Sequence, residues 1–375
     1  MPAYYLAEWI AENWWPLLWE PRKAEESATD SGFLTRHNLM SAQQGFALPS
    51  VSLVSTGDNI DIYAAKRRIE HGDATFFKSG ASTLRRNAVE GELRKFVDAT
   101  VAHLKGVSES PLQRSWTLIT DTMEATVDFC RLMGALGLSP YENHPQVEEI
   151  LDQASDVLTP RQLLELCQTS TLEHFAAAAR LAVNVQGALH RTPEIDLSQL
   201  IHIPRPADVP TVPAFRTGYE AAKKLRSQFQ IGPKDVDGAR KIFETLHIDL
   251  RPRNENFEDR PDSPVTGATA RHASSGQMIL VPKISAQRRF AAARAAYFFW
   301  TDSPDEEHLI TSATTRDQQA SRAFAAELLI PRDYIRSEAT GGKIKMQKLA
   351  DIAEREDVSR SLIRWHAENV GVVIS

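Results

Sequence analysis

Few side chains in this sequence stand at spacings that could perform chemistry. His144 and Glu148 are four residues apart, so on a helix they would share one face and could bind a metal ion. No third ligand accompanies them, which favours a solvated helix face. Arg36 and His37 form a candidate polar site just before a predicted hairpin, although such a pair in a loop favours a structural role. The sequence contains no P-loop, GxGxxG, GxSxG or CxxC array.

The elements that would position such groups belong to a chain of 375 residues, of which 42% are hydrophobic and 25% charged. This composition is typical of globular proteins, and the length predicts two or three domains. The net charge of -6 excludes a globally basic nucleic-acid surface but leaves room for a local basic patch. Cys130 and Cys167 lie in apolar helical stretches, so we expect buried thiols in a reducing compartment.

The first residues are aromatic enough to suggest a membrane segment, but Glu8, Glu12 and Glu20 interrupt them. No stretch reaches the ~20 apolar residues that a spanning helix needs. We therefore expect a cytoplasmic protein with no membrane contact and no targeting segment. The tryptophans expected to pack in a core are Trp9, Trp14, Trp15 and Trp19.

Residue patterns predict four parts. Residues 1–110 predict a small α/β domain, with a β-hairpin whose turn lies at Gly57, and residues 111–190 predict a helical region. Residues 191–213 contain five prolines, which predict a linker or an extended strap. Residues 214–375 predict helices mixed with two neighbouring strands. The expected fold class is α+β and helix-rich.

Three motifs follow one another in residues 214–375. The strands VTGATA and MILVPK lead into a helix, RRFAAARAAYFF; a second helix ends in FAAELLIP; the last segment contains VSRSLIRWHAEN. In this order and spacing, the C-terminal part resembles the ImmA/IrrE family of zinc metallopeptidases. The resemblance implies a zincin-like domain with a small sheet, and it covers nothing before residue 214.

The zinc chemistry of that family is missing from the corresponding positions. A zincin binds its ion through two histidines at i and i+4 of one helix, and a glutamate beside the first acts as general base. Laid over the family pattern, these positions carry Arg294, Phe298 and Ala295, and the acidic ligand of the second helix is replaced by Gln318. We therefore expect no catalytic residue, no metal and no cofactor.

The degenerate cleft could still bind a partner peptide. Its candidate binding residues are Arg294, Tyr297, Phe298, Asp317 and Gln318. Neighbouring residues that could extend a basic patch around Arg294 are Arg271, His272, Lys283, Arg288 and Arg289. A metal site rebuilt from other ligands would use His308 and Asp317, although the acidic segment SPDEEHLI favours a solvated His308.

These observations leave three functions open. The first is a pseudopeptidase that binds a protein or peptide as a sensor or regulator; the family's biology implies phage defence, mobile elements or stress response. The second is a DNA-binding regulator, because the C-terminal segment has a helix-turn-helix cadence with Arg360, Arg364 and His366 on its second helix. The third is an enzyme with a site in the N-terminal domain, at residues such as Arg36, His37, Asp58 or Asp61. No pattern in the sequence defines an oligomeric state.

Overall fold

The chain folds as an α+β protein: in the computed structural model 55% of the described residues are helical and 14% lie in strands, which confirms the predicted class. The structure describes residues 2–23, 31–42, 45–68, 75–104, 110–207, 209–251, 257 and 263–375. The first of two units comprises Met1–Asp152, Leu163–Ala176 and Ala313–Arg316; the second comprises Gln153–Gln162, Ala177–Ser312 and Asp317–Ser375. None of the described helices has the length and apolar character needed to cross a bilayer.

The first unit alternates helices with short strands. Its elements are α1 (Pro2–Glu12), α2 (Trp14–Trp19), α3 (Ser31–His37), a 3-10 helix (Leu39–Ala42), β1 (Ser50–Ser55), β2 (Asn59–Ala65), β3 (Arg67–Arg68), β4 (Thr75–Phe76), β5 (Gly80–Arg85), α4 (Arg86–Ala102), α5 (Pro111–Ala125) and α6 (Val127–Ala135). Helices α7 (Pro145–Ser155) and α8 (Pro160–Thr169) each contribute residues to both units.

The predicted β-hairpin is confirmed. Strands β1 and β2 pair antiparallel, from Ser50 opposite Ala65 to Ser55 opposite Ile60. Gly57 occupies the turn with φ +90°, a conformation that glycine adopts without steric cost. Strand β5 pairs antiparallel with the other edge of β2, which gives the sheet order β1-β2-β5.

The N-terminal tryptophans fill the core of the first unit, as predicted. Trp9, Trp14, Trp15 and Trp19 are between 1% and 6% exposed. The rings of Trp14 and Trp116 meet edge to face, with their centroids 5.0 Å apart. This geometry suits aromatic quadrupoles and buries a large apolar area.

The second unit combines helices with a four-stranded sheet. Its elements are α9 (Phe175–Leu189, whose first two residues belong to the first unit), β6 (Ile195–Asp196), α10 (Ser198–Ile201), α11 (Ala214–Gln228), α12 (Gly238–Thr245), β7 (Val265–Arg271), β8 (Ser275–Leu280), α13 (Ser285–Thr301), β9 (Glu307–Thr311), α14 (Arg316–Leu329, whose first residue belongs to the first unit), α15 (Arg332–Glu338), β10 (Lys343–Ile344), α16 (Met346–Arg355), α17 (Arg360–Asn369) and β11 (Val373–Ile374).

Helix α13 lies in the core of the second unit. The antiparallel sheet has the order β6-β8-β7-β9, and α13 packs against β7, β8 and β9. Every residue from Ala291 to Trp300 is buried, as expected of a helix that is apolar on all its faces. Helices α11 and α14 also approach closely, because any side chain at Gly218 would collide with the backbone oxygen of Ala320.

The structure divides the chain differently from the four predicted parts. The first unit runs on past residue 110 to Asp152, so residues 1–110 are not a separate domain. The proline-rich segment 191–213 is not a linker between domains, because Ile195 and Asp196 pair with β8 in the sheet of the second unit. Two paired residues leave too little periodicity for a strand to be predicted from the sequence.

Candidate functional site

Helix α13, strand β9 and helix α14 bring together the positions where the family pattern predicts zinc ligands. Arg294 lies near the middle of α13, Gln318 lies in the first turn of α14, and Thr311 ends β9. The side chains of Arg294 and Gln318 are both buried, at 3% and 1% exposure. Because its side chain is buried, Arg294 does not offer the surface charge that we expected.

The Arg294 guanidinium joins the three elements through uncharged oxygen acceptors. Its Nε donates to Ser321 Oγ at 3.0 Å, and its Nη2 donates to the carbonyl oxygen of Thr311 at 2.7 Å and to Gln318 Oε1. Arg322 Nη1 also reaches the Thr311 carbonyl, at 3.4 Å. A planar guanidinium with five N–H donors suits such a junction, which a lysine could not reproduce.

Gln318 pairs with β9 as a strand residue would. Its Nε2 donates to the Leu309 carbonyl at 2.7 Å, and its Oε1 accepts from the Thr311 N–H at 3.1 Å. An amide can donate and accept at once, whereas a metal-binding carboxylate could only accept here. The side chain at this position therefore fastens α14 to the end of β9.

Phe298 and Tyr297 pack as core residues. Phe298 is 1% exposed, and its ring stacks on His308 with centroids 4.6 Å apart and planes inclined by 20°. The Tyr297 ring lies 5.4 Å from that of Phe324. The expectation of a solvated His308 is wrong, since its side chain is fully buried in β9. These rings fill the space where a peptide cleft was predicted.

His308 meets two carboxylates at the end of α13. Among the described residues, potential ligand atoms of Asp302, Glu306 and His308 lie within 4.8 Å of one another, and His308 Nε2 is 3.1 Å from Asp302 Oδ2. Arg161 lies 3.4 Å from Glu306. Burial and the nearby charge of Arg205 lower the pKa of Arg271, and the carboxylates of Asp302 and Glu306 partly oppose this shift. The carboxylates therefore have cationic partners in the protein itself, and we assign no metal to this cluster.

Asp317, the other residue expected in a rebuilt metal site, is directed elsewhere. Its side chain is 56% exposed and lies 3.4 Å from Arg161. The predicted basic patch is also wrong in its main members, because Arg271 and Arg288 are each 5% exposed. Arg288 donates to the carbonyls of Leu250, Leu280, Pro282 and Arg251, at 2.8 to 3.1 Å.

Arg36 and His37, the candidate N-terminal site, converge on Glu20. Arg36 donates from Nε and Nη2 to the two oxygens of Glu20 at 2.8 and 2.6 Å, and His37 Nε2 is 2.9 Å from Glu20 Oε2. Burial opposes ionisation of Glu20, but the hydrogen bonds from His37 and Arg36 outweigh it and lower the pKa to about 2. His37 Nδ1 lies 2.7 Å from the Leu53 carbonyl. Both residues are thus engaged in a buried ion cluster.

The candidate nucleic-acid contacts on α17 differ in their exposure to solvent. Arg360 and Arg364 are exposed on α17, and Arg364 Nε lies 3.1 Å from Glu368. The prediction that His366 contacts nucleic acid is wrong, because this side chain is fully buried, with Nε2 3.5 Å from Glu327 Oε2.

Sequence reasoning missed Glu327, which is 2% exposed and accepts from Arg332 Nε at 3.0 Å. Its signal was a single acidic residue inside the apolar motif FAAELLIP.

His144 and Glu148 do not form a metal site. Glu148 Oε1 accepts from the backbone N–H of His144 at 3.2 Å, so the carboxylate caps the start of α7.

Comparisons with family models, curated proteins and solved structures returned no match to this chain.

Proposed function

We propose that the second unit is a degenerate ImmA/IrrE-like peptidase domain, and that the protein is a non-catalytic, protein-binding sensor or regulator. The observation that carries the proposal is the burial of Arg294, Phe298 and Gln318, each at most 3% exposed. By the resemblance, these are the positions of zinc ligands. We place this regulator in the cytoplasm, acting in phage defence, mobile-element biology or stress response.

The burial of these positions argues against peptide hydrolysis as strongly as the loss of the zinc-binding and general-base side chains does. A metallopeptidase needs an open coordination position where water and the substrate carbonyl meet. Ala295, at the position of the general base, is fully buried, and Arg294 is enclosed by contacts to β9 and α14. Replacing a polar catalytic site by such packing often stabilises a protein.

A partner would bind the surface of the second unit instead of the filled cleft. Met346, Trp365 and Val373 are 47%, 45% and 57% exposed near the C-terminus. The Met346 N–H donates to the Ser375 carbonyl at 3.0 Å, which brings Met346 close to β11 and Val373. Methionine and tryptophan are enriched at protein interfaces, and neighbouring exposed apolar side chains are typical of partner-binding surfaces.

The first test is zinc content by inductively coupled plasma mass spectrometry, after dialysis without chelator. We expect less than about a tenth of an equivalent. The measurement is decisive because a structural zinc ion binds too tightly for dialysis to remove it. Zinc near one equivalent would contradict the non-catalytic proposal.

The second test is affinity purification of the wild-type chain and of a Trp365→Ala/Val373→Ala variant. We expect the wild-type chain to capture a protein partner and the variant to lose it. The control Leu172→Ala removes a 50% exposed side chain in the first unit and should retain the partner. Equal capture by all three chains would contradict binding at this C-terminal surface.

A DNA-binding regulator is a second candidate. Helices α16 and α17 flank a tight turn at Asp357, whose φ is 49°, and Ser359 caps α17 by accepting from the Leu362 N–H at 3.1 Å. Arg360 and Arg364 would contact DNA, although Glu368 offsets the charge of Arg364. This candidate requires duplex binding that weakens steeply with salt and is lost in an Arg360→Ala/Arg364→Ala variant.

A further inference from the structure

Strands β2 to β5 form a ribbon of two successive antiparallel strand pairs in the first unit, β2 with β5 and then β3 with β4. Ala64 pairs with Gly80 where β2 meets β5, and further along Arg67 pairs with Phe76 where β3 meets β4. Strand β1 accompanies the ribbon only as far as Ala65. Residues 66–68 and 75–79 therefore extend beyond the three-stranded sheet. We call residues 59–68 and 75–86 the basic ribbon.

The basic ribbon is positively charged, whereas the whole chain is negatively charged. Residues 59–68 and 75–86 include six lysines and arginines and one acid, Asp61, while the whole chain carries -6. The intervening sequence 69–74 adds two acids, so the excess remains positive. The six basic residues are Lys66, Arg67, Arg68, Lys78, Arg85 and Arg86.

Two of these cations hold the ribbon, whereas three point to solvent. Arg67 donates to the Leu48 carbonyl at 2.8 Å, and the Arg86 guanidinium lies 3.4 Å above the Trp19 ring. Lys66, Arg68 and Lys78 are exposed, and within the described part of the chain no carboxylate forms an ion pair with them. Exposed surface cations attract polyanions.

Exposed aromatic rings stand among these cations. Phe77, between the β4 residue Phe76 and Lys78, is 77% exposed, and Tyr63 on β2 is 48% exposed. The Tyr63 hydroxyl donates to Asp61 Oδ2 at 3.1 Å, and Thr83 donates to Asp61 Oδ1 at 2.6 Å, so this carboxylate is engaged and the Tyr63 ring is held. Aromatic rings on a basic surface are stacking platforms for unpaired bases.

We propose that the basic ribbon binds single-stranded nucleic acid, with Lys66, Arg68 and Lys78 contacting phosphates and Phe77 stacking on a base. A duplex would offer Phe77 no free base to stack on, because the bases of a duplex already stack on one another. An anionic membrane is the less suitable partner, because interfacial anchoring requires a continuous apolar face, which one phenylalanine among cations does not provide. This function belongs to the first unit and does not depend on the proposed regulator function.

The test is fluorescence anisotropy of the full chain with labelled 20-nucleotide DNA and RNA strands and with a 20-base-pair duplex, between 50 and 200 mM salt. We expect an unpaired strand, DNA or RNA, to bind at least tenfold tighter than the duplex. The triple variant Lys66→Ala/Arg68→Ala/Lys78→Ala should weaken this binding by more than tenfold and reduce the logarithmic salt slope by about 2, or ~0.7 for each lost phosphate contact.

Phe77→Leu separates stacking from hydrophobic insertion. Leucine retains apolar area but cannot stack, so strand affinity should fall about tenfold with an unchanged salt slope. The control Lys234→Ala/Arg240→Ala removes two exposed cations from the second unit and should leave strand binding unchanged. Circular dichroism melting checks the fold of every variant. The proposal is overturned by equal affinity for strand and duplex, or by loss of binding only in the control. Binding to phosphatidylserine vesicles but not to either strand, unaffected by Phe77→Leu, also overturns it.

Discussion

The two units each bury a charged side chain, but they satisfy it in opposite ways. In the first unit, Glu20 lies between two basic side chains, Arg36 and His37, at 2.6 to 2.9 Å. In the second unit, Arg294 donates to the uncharged oxygens of Ser321, Thr311 and Gln318. The first arrangement balances charge, whereas the second uses a cation as a multivalent hydrogen-bond donor. The cost of removing each charged group should therefore differ.

The largest effect is expected for Glu20→Ala. Removing one partner of a buried ion cluster leaves the other charges without compensation, which costs about 3–5 kcal/mol of unfolding free energy. The measurement is urea denaturation followed by tryptophan fluorescence, because the tryptophans of the first unit report on this region. Glu92→Ala, which removes a 75% exposed carboxylate, is the control and should change stability by less than ~0.5 kcal/mol. Similar losses in both variants would show that the Glu20 cluster contributes little.

Acid should weaken the first cluster and leave the second intact. The pKa of Glu20 falls from 4.5 to about 2, so its contribution to stability is present above pH 4.5 and is lost as the pH falls through 2. A shift of this size corresponds to about 3 kcal/mol. Denaturation of the wild type between pH 5 and pH 2 should therefore show a fall that Glu20→Gln lacks. An equal fall in the variant would assign the acid sensitivity to other carboxylates.

The predictability of these two regions from sequence also differs. Helix α13 and strands β7 and β8 were predictable, because continuous helical or strand patterns dictate them locally. The contact of Arg36 and His37 with Glu20 was not predictable. In the sequence Glu20 only interrupts an aromatic segment, and no local rule links it to side chains that follow 16 and 17 positions later. The burial of His308 was missed for a related reason: acidic neighbours in sequence suggested solvent, but Phe298 covers its ring.

Arg294→Met should cost less than loss of Glu20. Methionine fills most of the volume of the arginine stem, and Gln318 keeps its bonds to Leu309 and Thr311 without the guanidinium. The remaining loss is that of a few hydrogen bonds, offset by relief from burying a cation, and we expect about 1 kcal/mol. Arg294→Ala, which adds a cavity, should cost about 3 kcal/mol by the same denaturation measurement. A loss in Arg294→Met as large as in Glu20→Ala would show that the Arg294 junction also depends on its charge.

The smallest effect is expected for an ion pair that is neither buried nor part of a network. Arg364 and Glu368, one helical turn apart on α17, have side chains 61% and 52% exposed, so water screens their 3.1 Å contact. Arg364→Ala should lower the unfolding free energy by ~0.3–0.5 kcal/mol at low salt, and the difference should vanish in about 1 M NaCl. The Glu20 cluster, shielded from ions by burial, should keep most of its effect at that salt concentration. If Arg364→Ala and Glu20→Ala showed the same salt dependence, burial would not be what separates the two kinds of ion pair.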